Sequence, residues 1–293
     1  MKMNTRIMKV PQGLAATLKN QRLLQLKGLT VIESCSLSAG TQGAMYLEDH
    51  LLLFVLQGKY TVRYGEQEFT VHKHEMVLLQ KAIVVQYEKW GEPHQDYLLE
   101  YMMFFLKGDL LAEFSKMAKH PPGRPAALVP VTVQPVTDRL TAYLESLKPL
   151  FHERSGVEEE LIRLKLLELL FDVAHAKADL MGQMLQLGRQ LPSNLSSVVE
   201  ENLLNPVSVD DLAYLSGRSL SSFKREFQSV YNVPPSRWIR ERRLEKAKEL
   251  LTSSSMSVTD ICFSTGFENA AHFSKAFKKH FGCSPSLFRQ QLS

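Results

Sequence analysis

The chain has 293 residues, 44% of them hydrophobic and 23% charged, with a net charge of +4. That length suffices for two domains, each with its own core, and the composition is that of an ordinary soluble globular protein. The longest apolar stretches, 51–56 and 97–106, are too short to span a bilayer, and the opening MKMNTRIMKV lacks the apolar core of a signal peptide. No membrane partner is expected, and the expected location is the cytoplasm.

From about residue 29 to residue 106 the apolar residues recur with period two. Segments 59–64 (KYTVRY) and 67–71 (QEFTV) alternate on either side of Gly65-Glu66, which predicts a two-residue hairpin turn. The runs 51–56, 76–79 and 83–85 are short and apolar, as core strands are. Short strands with turns at this spacing predict a small antiparallel β-barrel. His72 and His74 would share one face of a strand, where a metal could take both. A lysine separates them and His74-Glu75 falls at a turn, so the preferred reading is an exposed turn, with no metal and no cofactor. Cys35, Cys262 and Cys283 are odd in number and lack metal spacing, which suits a reducing compartment.

Pro121-Pro122-Gly123 marks a loop, after which helices are predicted over 137–150 and 158–184. In the second, Leu161, Leu164, Leu167, Phe171 and Ala174 fall on one side, and Leu166, Leu169, Leu170 and Val173 widen the stripe. A helix so broadly apolar is expected to pack on its own barrel and on a partner as well, the alternative being burial within one subunit. QLGRQLPSNLS (186–196) reads as a polar linker between a first domain, 1–185, and a second, 197–293.

The last third contains a repeat. Val209, Asp211, Leu212 and Gly217 recur 49 residues later as Val258, Asp260, Ile261 and Gly266, and Phe223, Arg225, Phe227 and Pro235 recur 50 residues later as Phe273, Lys275, Phe277 and Pro285. Each copy reads as helix, tight turn, helix. In the first, residues 210–216 make a short helix ended by Gly217, and Ser219 caps a second helix that runs to about Tyr231. Phe223, Phe227 and Val230 should face inward. Ser221, Lys224, Arg225 and Gln228 then form an exposed stripe of the side-chain types that bond base edges and phosphates in a major groove. In the second copy Asn269 is the cap, Phe273, Phe277 and Phe281 pack inward, and Ala271, Ser274, Lys275 and Lys278 stay outside. A helix over 235–252, buried along Leu244, Ala247 and Leu251, joins the copies. Residues 193–293 hold 13 basic against 10 acidic residues, and residues 1–192 hold 22 against 21, so the basic excess sits mainly in the repeat.

ERRLEKAKELL followed by SVTDICFSTGFENAAHFSKAFKKHFGCSPSLFR resembles the signature of the AraC/XylS family of bacterial transcription regulators, over roughly residues 193–292. The resemblance implies seven helices and two recognition helices that reach successive major grooves on one side of promoter DNA. It assigns the groove-facing positions to Ser221, Lys224, Arg225 and Gln228 in the first unit and to Ala270, Ala271, Ser274, Lys275 and Lys278 in the second, and the caps Ser219 and Asn269 are counted with them as expected DNA-binding residues. Arg243 is read as a structural pairing or helix-dipole residue, and His272 as a surface or rim residue. Arg237, Arg240 and Arg242 fit a phosphate-contacting face or a solvated helix face equally well. LLLFVLQGKYTVRYGEQEFTVHKHEMVLLQKA resembles the family's cupin-like arm, so the expected fold class is α+β, with a cupin-like β-barrel carrying dimerisation helices ahead of an all-α domain. Sugar sensors of the family carry a histidine shortly after the 72–75 turn, where this chain has Val84 and Val85. SVYNVPPSRWIRERR with FGCSPS resembles the branch of the family that activates type III secretion genes, where the arm serves self-association and binding of a protein antagonist. The implied partners are duplex promoter DNA, RNA polymerase, a second copy of the chain on DNA, and an effector ligand or protein antagonist at the arm.

Two other classes compete. A cupin-type metal enzyme needs three or four converging histidines and carboxylates, and only His72, His74 and Glu75 cluster in the sequence. A protein-interaction module without DNA affinity needs an acidic or apolar stripe on the repeat, and the stripe is neither. The expectation is a non-enzymatic, sequence-specific regulator acting as an activator.

Overall fold

Contacts divide the chain into two units, Met8–Arg189 and Gln190–Ser293. The structure is a computed structural model that describes residues 7–11, 21–37, 40–91, 97–118, 129–153, 156–187 and 194–291. The Pro121-Pro122-Gly123 loop and residues 188–193 of the expected linker lie outside the described residues.

The period-two region forms two sheets. In spatial order one consists of β1 (Ile7–Val10), β4 (Thr41–Leu47), β9 (Val84–Trp90), β6 (Lys59–Tyr64) and β7 (Gln67–His72). The other consists of β11 (Val131–Pro135), β8 (Glu75–Leu79), β5 (His50–Gln57), β10 (Leu99–Leu106), β3 (Leu29–Leu37) and β2 (Gln21–Leu26). Tyr64 pairs with Gln67 across Gly65-Glu66, and Gly65 takes φ +60°, as the predicted hairpin requires. Among the described residues no ladder joins the outer strands of one sheet to those of the other. The barrel is therefore open, and its two sheets share one core as a sandwich.

β5 and β10 account for the two longest apolar runs. Leu51, Leu53 and Val55, with Tyr101, Met103 and Phe105, fill the space between the sheets. The alternate residues Leu52 and Phe54, with Met102, Phe104 and Leu106, face a second core roofed by helices. A strand buried on both faces loses its alternation and reads as continuous apolar sequence.

The roof holds α1 (Gly108–Met117), α2 (Asp138–Leu147) with a 3-10 turn at Lys148–His152, α3 (Glu159–Ala176) and α4 (Ala178–Gln186). The single helix expected over 158–184 is thus two, broken where Lys177 becomes extended at φ −155°. The break lets Leu180, Met184 and Leu187 join the same core as Leu166, Leu169 and Leu170. α1 is not apparent in the sequence, because Leu110, Leu111 and Phe114 span little more than one turn.

The buried polar side chains of this unit include Glu33, Lys89 and His50. Lys89 Nζ donates to Tyr101 Oη at 2.7 Å between the sheets, with Glu33 beside them, and burial lowers the lysine and raises the tyrosine from their ordinary values. His50 closes the end of α4: its Nδ1 accepts from the Lys81 N–H at 3.2 Å, which leaves Nε2–H to donate to the Leu187 carbonyl at 2.9 Å. Burial, helped by the Lys81 charge, pushes this imidazole down to about 3.

The second unit comprises α5 (Leu195–Glu201), α6 (Val209–Leu215), α7 (Leu220–Tyr231), α8 (Pro235–Ser253), α9 (Val258–Ser264), α10 (Ala270–Phe281) and α11 (Pro285–Gln290). The duplication reaches the side-chain packing. Phe223–Phe227, Phe227–Tyr231 and Phe227–Trp238 lie at ring separations of 5.7, 4.4 and 5.8 Å, and their counterparts Phe273–Phe277, Phe277–Phe281 and Phe277–Phe288 at 5.8, 4.6 and 5.8 Å. Val230 departs from expectation. It is 53% exposed, because Tyr231 and Trp238 complete the aromatic cluster on its other flank.

Candidate DNA interface

Each recognition helix is set by local chemistry that the repeat conserves. Ser208 and Asp211 form a capping box at α6, the Asp211 N–H donating to Ser208 Oγ at 3.1 Å and the Ser208 N–H to Asp211 Oδ2 at 2.9 Å. At α9, Ser257 Oγ accepts from the Asp260 N–H at 3.0 Å. Both helices end on a buried hydroxyl, Ser216 or Thr265, bonded back to a carbonyl of its own helix. The turn then passes through Gly217 at φ +68° or Gly266 at φ +81°. Ser219 Oγ accepts from the Ser222 N–H at 3.2 Å to start α7, and Asn269 Oδ1 accepts from the Ala271 and His272 N–H groups at 2.8 and 3.0 Å to start α10. Asn232 ends α7 at φ +57°, where Gly282 ends α10 at φ +86°.

Arg243 on α8 ties the segment between α5 and α6 to the turn of the second copy. Its Nε donates to Leu203 O at 2.7 Å, Nη2 to Asn205 O at 2.5 Å and Nη1 to Gly266 O at 2.8 Å. A Cβ at position 266 would stand 2.8 Å from the guanidinium carbon, a second reason for glycine there. Burial lowers this guanidinium to about 10. It has the structural role expected for it.

The candidate contact residues lie as follows. Ser219, Ser221, Lys224, Arg225 and Gln228 are exposed, as are Asn269, Ala271, Lys275 and Lys278, while Ala270 and Ser274 are half-buried. Spacing of three, four and seven residues puts Ser221, Lys224, Arg225 and Gln228 on one face of α7, opposite buried Phe223 and Phe227. His272 is exposed at the rim, its ring 6.3 Å from that of Phe267.

Charge pairing sets these cations apart from half of those on α8. On α8, Arg237 pairs with Glu241, Arg242 with Glu245 and Lys246 with Glu249, so three of its six cations are compensated within the helix. Among the described residues, Lys224, Arg225, Lys275 and Lys278 make no ion pair, a condition shared by Arg240 and Lys279. One recognition-helix charge is paired and was not legible in the sequence. Glu226 of α7 is gripped by Arg218, whose hydrogen bonds hold its carboxyl below the usual range. The two residues are eight apart and on opposite sides of a turn, so no local periodicity connects them.

The turn that was weighed as a metal pair has His72 exposed and His74 at φ +65°, and Glu75 Oε2 accepts from the His72 N–H at 2.8 Å. Among the described residues no group of three or more histidine, cysteine or acidic side chains converges. Cys35 and Cys262 are buried and all three cysteines are free.

Two family models match the chain, a helix-turn-helix domain over residues 212–291 and the ExsA N-terminal regulatory domain over residues 50–182. The chain is 27% identical to the HTH-type transcriptional regulator ExsA of Pseudomonas aeruginosa, over 90% of this chain and 94% of that one. It is 28% identical to the thermoregulatory protein LcrF of Yersinia pestis, over 89% and 88%. It is 36% identical to the HTH-type transcriptional activator AarP of Providencia stuartii, over 31% of this chain and 67% of that one.

Proposed function

The chain belongs to the AraC/XylS family of bacterial transcription regulators, and on that premise we propose that it activates promoters by laying α7 and α10 into two successive major grooves. It is a DNA-binding transcription regulator. The observation that carries the groove assignment is the exposure of uncommitted cations on both recognition helices: Lys224, Arg225, Lys275 and Lys278 make no ion pair among the described residues, whereas three of the six cations of α8 are paired with neighbours. A helix that must meet phosphates keeps its cations uncommitted. Arg225, Lys224 and Gln228 read bases and Ser221 supports them. In the second unit Lys275 and Lys278 hold phosphate, while Ala270, Ala271 and Ser274 allow close approach. Ser219 and Asn269 act through the caps that fix each helix's first turn.

The first unit is the regulatory and pairing domain, with its boundary near residue 188. Leu161 and Leu164 of α3, 37% and 64% exposed, form the contact between two copies on neighbouring sites. The match to a regulatory-domain model supports control of this unit by an effector or a protein antagonist. The name of the relative AarP supports activation, and thereby contact with RNA polymerase. The protein works in the cytoplasm without a catalytic step, and no helix of the described residues is long and apolar enough to cross a membrane.

Selection of binding sites from random DNA by the full-length protein tests the reading. The expected product is one motif with two blocks about one helical turn, roughly 10 base pairs, apart. Recovery of a single short block, or of no motif, overturns it.

A further inference from the structure

The two repeats tie turn to recognition helix by different chemistry. In the second, Phe267 follows the turn glycine, is buried with its ring 5.1 Å from that of Phe273, and belongs to an apolar cluster against which Ala276 of α10 also packs. The same shifts that align the repeat, 49 residues before the insertion and 50 after it, carry these positions to Arg218 and Glu226. There the apolar plug is replaced by a fork-to-fork ion pair. Arg218 Nε donates to Glu226 Oε2 and Nη2 to Oε1, both at 2.7 Å, and Nη1 donates to the Ser216 carbonyl at 2.6 Å.

We infer that Arg218 is the positioning residue of the first recognition helix, an ionic brace that takes the place of the second unit's aromatic plug and fixes how α7 is presented to DNA. The inference rests on the reading of α7 as a recognition helix. Three observations support it. The side chain of Arg218 is only 16% exposed, so this cation belongs to the frame and not to the phosphate-facing set. All three of its nitrogens are committed, one on the end of α6 and two on the middle of α7, so it spans the whole turn. Its partner is the acidic side chain of α7, whose charge would repel phosphate if left uncompensated. A bidentate guanidinium also restricts rotation about the pair, which a single point charge does not.

The test uses the full-length protein and footprinting on its selected site. Arg218→Met should weaken binding about tenfold, on the order of one lost base contact. Protection should fade first in the half-site that also depends on Arg225, and the salt dependence should keep its slope. The paired variant Arg218→Phe/Glu226→Ala, which copies the second unit, should return affinity to within about twofold. Glu226→Gln, which preserves shape, should give a smaller loss in the same half-site, and thermal melting checks that each variant is folded. Parental binding by Arg218→Met or by Glu226→Gln overturns the inference. So does a slope reduced by about one unit, which would make Arg218 a phosphate ligand. A folded double variant no better than Arg218→Met overturns it as well. Failure of the unsubstituted protein to select any motif would instead overturn the DNA reading.

Discussion

Arg225 and Lys278 are both exposed cations on recognition helices, yet they should fail differently when truncated. Arg225 stands beside Lys224 and Gln228 in the middle of α7, where a guanidinium can take two acceptors of one guanine. Arg225→Ala should cost about 1–3 kcal/mol at the cognate site and relax the motif at one base position. An unchanged motif in selection from random DNA would remove Arg225 from the base-reading set. Lys278 sits in the last turn of α10, next to Lys279, and suits phosphate. Lys278→Ala should weaken cognate and unrelated DNA alike and reduce the salt slope by about one unit, and a loss confined to the cognate site would make it a base reader. His50 makes a prediction about stability. Its folded-state value, about 3, lies below the ordinary 6.5, so between those pH values the unfolded chain binds a proton that the folded chain refuses. That contribution is complete above pH 6.5 and is lost as pH falls toward 3. Thermal melts at pH 7 and about pH 4 should show a smaller drop for His50→Gln than for the unsubstituted protein. Parallel drops would mean that the imidazole does not titrate as its surroundings require.

At the scale of elements, α3 divides its apolar surface between two duties. Leu166, Leu169, Leu170 and Val173 are buried under the roof, and Phe171 leans on Phe114 at 4.9 Å within the same subunit. Leu161 and Leu164 are left to solvent. Phe171 is therefore a poor probe of pairing, because changing it would disturb the subunit's own core. Leu161→Glu/Leu164→Glu places charge where a partner would have to bury it, which is costly unless the charge is paired. This variant should fill two neighbouring sites independently while keeping its affinity for one. Cooperative filling retained by the folded variant, read from footprints on a two-site promoter, would assign the α3 face to something other than pairing.

At the scale of the molecule, among the described residues each of the units Met8–Arg189 and Gln190–Ser293 has an apolar cluster of its own. The piece from 190 to 293 should fold alone, sediment as a monomer and bind one site without cooperativity. Aggregation or loss of helix signal in that piece would show that its core needs the first unit. The sequence by itself determined the duplicated helix-turn-helix, because caps, turn glycines and phenylalanines four residues apart act within one or two helical turns and leave a local pattern. It determined the 59–72 hairpin for the same reason, and Arg243's structural role through its family motif. Tertiary structure alone decided what depends on residues far apart in the chain. It left the barrel open, because among the described residues no ladder joins the outer strands of the two sheets, and it broke the 158–184 helix at Lys177 so that α4 could reach the same core. Val230 is turned out because Tyr231 and Trp238 fill the cluster instead. Lys89 meets Tyr101 between two sheets, and Arg218 meets Glu226 across a turn. Periodicity carries which face of an element is apolar, but only packing decides what that face, or a charge beside it, finally meets.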